Sequence, residues 1–178
     1  MPTITNCIYD IDDNLTQDLN KNISSIAYNT LNLPQVITVT GKGTITYTYD
    51  AAGNKLKKVT VDNSVTPALT TITLYLGNSV YENDTLQFFG TSEGRARPNV
   101  ADTTFVYDYF LRDHLGNTRM VITDDYNVSS PILEATSYYP FGLQQKRIGI
   151  DAAFPNQQNK KRYNGIEFDE DLSINMDE

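Results

Sequence analysis

Asp10, Asp12 and Asn14 repeat the spacing of the first three ligands of a calcium-binding loop. Such a loop also needs a glycine at its sixth position and a bidentate glutamate at its twelfth. Leu15 and Lys21 stand there instead, so a solvated turn is the better reading and no metal is assigned. Cys7 and His114 are the single cysteine and the single histidine, and Asp113 next to His114 could in principle orient an imidazole for a nucleophile. Adjacent residues of a turn point in different directions, however, and no spacing brings Cys7 to them. Asp113, Gly116 and Asn117 are read as shaping a hairpin, with His114 filling space or bonding backbone. A histidine-based metal site would need most of its ligands from elsewhere. No cofactor is expected, and the chain is not read as an enzyme.

Tyr139-Pro140-Phe141-Gly142 places proline and glycine at the second and fourth positions of a type I turn. Its aromatic residues are read as packing, and a sugar stacked on exposed tyrosines is the functional alternative. Asn14, Asn22, Asn83 and Asn127 each head an N-x-S/T sequon, which an Asn- and Thr-rich sequence produces by composition.

Positioning these residues falls to β-hairpins. From Thr44 to Tyr49 the chain alternates, with Ile45, Tyr47 and Tyr49 on one face and threonines on the other, the period of a half-buried strand. Asp50 can bond its own turn backbone, Gly53 supplies a positive φ before Asn54, and a second strand leaves through Leu56, Val59 and Val61. Degenerate copies begin at Tyr9-Asp10 and Tyr28-Asn29, so Tyr9, Tyr28 and Tyr49 mark a repeat of about 20 residues. Looser echoes occur at Tyr75-Leu-Gly77-Asn78, Asp113-His114-Leu115-Gly116-Asn117 and Tyr163-Asn164-Gly165.

The pattern Tyr47-Thr-Tyr49-Asp50-Ala-Ala-Gly53-Asn54 resembles the YD repeat of Rhs proteins, teneurins and the C components of insecticidal Tc toxins. Three further motifs follow in order: Leu111 to Arg119, containing Asp113, His114, Gly116 and Asn117; Tyr138 to Leu143; and Arg162 to Glu167, containing Tyr163, Asn164 and Gly165. Together they are similar to the Rhs repeat-associated core domain, and the resemblance covers about Tyr9 to Leu172. It implies an all-β fold of antiparallel hairpin repeats forming a curved sheet, a fragment of a β-shell that encloses a C-terminal toxin. It also implies a secreted or cell-surface setting. Many family members release the toxin with an aspartyl autoprotease, and Asp169 matches one of its acids. The sequence contains no Asp-Pro cleavage motif, so self-cleavage by these residues alone is not expected. An adhesion module that recognises glycan through its tyrosines is a further reading.

A chain of 178 residues with twelve tyrosines, seven phenylalanines and no tryptophan suits sheets with aromatic cross-strand contacts. The net charge of −8 argues against nucleic acid or an anionic membrane as partner. No apolar run reaches the ~20 residues of a membrane helix, and no signal peptide is visible. The organisation is read as hairpin repeats over 1–61, irregular strands over 62–103 with a flexible loop at 90–102, and a core-like segment over 104–178. A short helical turn is expected at 156–162. The expected partners are the rest of the shell and its toxin. Self-association through an edge strand is also expected, with residues 72–76 and 107–111 as candidates.

Overall fold

The computed structural model describes residues 6–99, 102–139, 144–150, 168–169, 171–174 and 176–177. They form β-strands and turns, without an α-helix among them. Fourteen strands hydrogen-bond in the order in which they occur along the chain. The expected all-β class of antiparallel hairpins is therefore the one found. Two compact units divide the chain: Met1–Gly77 with Tyr81–Thr85 and Glu170–Asn175, and Asn78–Val80 with Leu86–Asp169 and Met176–Glu178.

In the first unit the strands are β1 (Cys7–Tyr9), β2 (Leu15–Asp18), β3 (Ile23–Tyr28), β4 (Pro34–Val39), β5 (Gly43–Tyr49), β6 (Lys55–Asp62) and β7 (Leu69–Leu76). Each is antiparallel to the next. Alternation puts one face inside. Ile26 pairs with Ile37, Ile37 with Ile45 and Ile45 with Thr60, and all four are buried. Burying each isoleucine contributes on the order of 1.5–3 kcal/mol, so this line of side chains fixes the register. A strand slipped by one residue would turn the whole row to solvent. Tyr47, Val39 and Ile23 extend the same core.

The remaining strands of the ladder are β8 (Ser79–Glu82), β9 (Thr85–Gly90), β10 (Gly94–Pro98), β11 (Phe105–Arg112), β12 (Thr118–Thr123), β13 (Ile132–Tyr138) and β14 (Gln144–Ile150). A separate hairpin joins β15 (Phe168–Asp169) to β16 (Met176–Asp177). Within the second unit β11 alternates cleanly: Val106 and Asp108 are buried, whereas Phe105, Tyr107, Tyr109 and Leu111 stand at least 43% exposed. The inward row is unusually polar, adding Arg95, Arg97, Thr123, Glu134 and Thr136 to Val106 and Val121.

Two expectations are corrected. Residues 94–98 form a strand rather than part of a flexible loop, because Arg95 and Arg97 find a buried acid on β11 that offsets their desolvation. Residues 72–76 and 107–111 are not edges: β7 lies between β6 and β8, and β11 between β10 and β12. A meander that continues on both sides satisfies those backbones, and the ends of the sheet order are β1 and β14. The helical turn expected at 156–162 lies outside the described residues.

Candidate functional site

Among the described residues the predicted turn occurs at four places with one geometry. At 10–14, 29–33, 50–54 and 113–117 the first residue's amide donates to the fifth residue's carbonyl at 2.9, 3.0, 2.9 and 3.0 Å. The fourth residue donates back to the first residue's carbonyl, and its φ is positive: 62° at Asp13, 57° at Asn32, 85° at Gly53 and 86° at Gly116. In every case the strand register shifts just before the turn, between Ile8 and Tyr9, Ala27 and Tyr28, Thr48 and Tyr49, and Leu111 and Arg112. A bulge placed there bends the strand into the loop.

The first side chain does most of the stitching. Asp50 Oδ1 accepts from the amides of Ala52 and Asn54, both at 2.8 Å, and Oδ2 accepts from Asn54 Nδ2 at 2.8 Å. Asp10 with Asn14, and Asp113 with Asn117, repeat the set. Asn29 Oδ1 takes both amides as well, although Leu33 offers no side-chain donor. These donors hold the three aspartates below the usual carboxylate range. The backbone bond from Asn14 leads at Asp10, and the side-chain bonds from Asn54 and Asn117 lead at Asp50 and Asp113. The Asp10 carboxylate thus faces its own loop with its oxygens already taken by donors, which is how Asp10, Asp12 and Asn14 come to have calcium-like spacing. Among the described residues no group of three His, Cys, Asp or Glu could hold a metal ion.

A second device, absent from the sequence expectations, couples three of the four turns to a later strand. Tyr28 donates its hydroxyl to the carbonyl of Leu15 at 2.8 Å, Tyr49 to that of Pro34 at 2.9 Å, and Tyr138 to that of Thr118 at 3.1 Å. Leu15, Pro34 and Thr118 are each the residue that follows a five-residue turn. The tyrosine at the end of one strand therefore ties down the start of the strand before it. Burial, and secondarily the Asp10 charge, push the Tyr28 hydroxyl up, so it stays protonated and able to donate.

This geometry has counterparts among solved proteins. Superposition gives TM-scores of 0.66 with the crystal structure of TcdB2-TccC3-TEV, 0.64 with TcdB2-TccC3, and 0.61 with a Tc holotoxin pore of Photorhabdus luminescens carrying a TccC3 mutation. The fold is similar to part of a Tc toxin. The matches cover 90%, 90% and 82% of this chain at 18%, 18% and 17% identity, and this chain spans about 8% of each matched chain. No protein-family model matches the chain, and no curated protein sequence matches it significantly.

Of the other residues singled out from sequence, Tyr47 is buried and its ring lies 6.2 Å from that of Tyr49, with Lys55 Nζ 4.9 Å from the Tyr47 centroid. Arg119 reaches Ser137 Oγ at 3.4 Å and covers the Tyr138 ring, so it braces the third tyrosine. His114 is exposed at the tip of its turn. Cys7 belongs to the first unit and His114 to the second. Tyr139 is exposed; Pro140, Phe141, Gly142, Tyr163, Asn164 and Gly165 lie outside the described residues. Asp169 falls in β15.

Sequence reasoning also missed the ionic cluster of the second unit. Arg95 Nε meets Asp108 Oδ2 at 2.8 Å, Arg97 Nε meets the same oxygen at 3.1 Å, and Arg97 Nη2 reaches Asp125 at 3.3 Å. Asp125 sits below the carboxylate range, chiefly through the Asn127 amide and then through Arg97. The only signal was two arginines spaced by two on one strand opposite an aspartate.

Proposed function

We propose that this chain is an encapsulating segment of an Rhs/YD-repeat protein, part of a β-shell built around a C-terminal toxin. The single observation that carries the reading is the serial coupling of turn to tyrosine. At three of the hairpins a turn of one geometry is followed by a residue that a later tyrosine ties down, a unit that can be repeated without a dedicated pocket. That is what a wall requires and what a compact enzyme does not. The likeness to part of TcdB2-TccC3 supports the same reading. In it the partners are the remaining shell and its cargo, the setting is secreted or cell-surface, and the role is structural rather than catalytic. Asp169 would take part in self-cleavage only together with acids and a scissile site beyond those described.

The test is protease protection of the parent polypeptide. Sequence downstream of this chain should resist trypsin in the intact protein and become sensitive when Tyr28, Tyr49 and Tyr138 are all changed to Phe. Equal sensitivity in both proteins would contradict encapsulation. A half-exposed row of Phe105, Tyr107 and Tyr109 on β11 supports a second reading, a surface for stacking sugars. Glycan binding lost in Tyr107→Ala with Tyr109→Ala would favour it.

A further inference from the structure

Within the first unit, residues 171–174 make a tight turn that meets β6 and the turn preceding β5. Asp171 Oδ2 lies 2.8 Å from Lys58 Nζ and accepts the Thr60 hydroxyl at 2.7 Å. Lys42 Nζ donates to the Leu172 carbonyl at 2.9 Å, and the Ile174 side chain is wholly buried. Lys58 is itself only 2% exposed, so its ammonium has given up nearly all its water. A lysine in that state is stabilised by a carboxylate that accompanies it out of solvent.

The turn is held in a conformation its own residues disfavour. Leu172 has φ 50° and ψ 18°, and Ser173 has φ 59°, while the Ile174 amide bonds the Asp171 carbonyl at 3.1 Å. Two successive left-handed residues make a turn of type I′, where Asn and Gly are the usual occupants. Leucine and serine keep that shape only when surrounding contacts impose it. Lys58, Thr60 and Lys42 make contacts of that kind.

We propose that the Lys58–Thr60 face is a receptor seat for a short acidic-then-apolar peptide, and that its occupant is this chain's own Asp-Leu-Ser-Ile turn acting as a latch. Lys58 and Thr60 read the acid, Lys42 reads a backbone carbonyl one residue on, and the buried isoleucine supplies the apolar anchor. This is peptide recognition by side chains on the face of a sheet, separate from edge pairing. It stands independently of the shell reading.

The experiment keeps the full chain. Asp171→Lys combined with Ile174→Asp should free the seat. A fluorescein-labelled peptide with the sequence of residues 168–177 should then bind saturably by fluorescence anisotropy. Binding to the unchanged chain should be at least ~10-fold weaker because the seat is filled, and Lys58→Met in the freed variant should weaken it by a similar factor. Equal binding to freed and unchanged chains, indifference to Lys58→Met, or no binding to a folded freed variant overturns the proposal. Ser173→Gly gives an independent readout. Relieving one left-handed residue should slow hydrogen exchange at the amides of 58–60 about five-fold. Unchanged or faster exchange there would mean that the turn is not latched by this seat.

Discussion

Tyr49→Phe removes one oxygen and leaves the ring, so it isolates the tyrosine lock from the packing beside it. The hydroxyl donates to the Pro34 carbonyl at 2.9 Å in a half-buried setting. A net loss of about 0.5–1.5 kcal/mol follows, which for a chain of this length lowers the melting temperature by about 1–6 °C. The arrangement makes a sharper demand. Pro34 is also the register partner of Tyr28, whose own hydroxyl holds Leu15. Loosening Pro34 should therefore slacken Tyr28, and Tyr28→Phe with Tyr49→Phe should depart from additivity by about 0.5 kcal/mol or more. Tyr138 belongs to the other unit and bonds Thr118, so Tyr49→Phe with Tyr138→Phe should be additive. Urea unfolding of the three singles and two doubles, followed by circular dichroism, measures both quantities. Strict additivity in the Tyr28/Tyr49 pair, or no loss in any single variant, would refute serial coupling.

An alanine at Gly94 would place its Cβ 2.0 Å from the Asp108 carbonyl oxygen, and one at Gly43 1.8 Å from that of Val61. Backbone cannot rotate away, so each change should cost about 3 kcal/mol or more in a thermal melt. Gly116→Ala meets open space but a φ of 86°, and should cost only about 1–2 kcal/mol. Asp108→Asn strips the charge facing buried Arg95 and Arg97 and should destabilise by about 3–5 kcal/mol in urea unfolding. Acid should weaken the turns in a defined window. Asp10, Asp50 and Asp113 titrate lower folded than unfolded, so their stabilisation is full above the unfolded value of about 4 and is lost as pH falls through the folded values. Replacing all three with Asn should flatten the pH dependence of the melting temperature below about pH 4.

The hairpins were legible because their information is local. Tyr-Asp-x-x-Gly-Asn places the Asx acceptor, the left-handed residue and the closing amide within six positions, and alternation from Thr44 to Tyr49 sets the inward face. The turn at 29–33 shows how far that signal degrades before the geometry does, since Asn32 takes the left-handed position and Leu33 the closing one. What could not be read depends on distant partners. Gly94–Pro98 looks like a polar loop until Asp108, thirteen residues from Arg95, is set beside it. Tyr107 and Leu111 carry the same alternation whether β11 is an edge or an interior strand, so pattern alone could not place it. The tyrosine locks span 13 to 20 residues, and the latch joins Thr60 to Asp171 across 111. No glycine marks the left-handed pair at Leu172 and Ser173, because the seat rather than the sequence imposes it.

Electron cryomicroscopy of the complete gene product tests the central claim most directly. Encapsulation requires a closed wall of β-hairpins in which residues 7–138 form successive rungs, tyrosine locks intact, around an enclosed protein mass. An open sheet with solvent on both faces and no enclosed chain would contradict it.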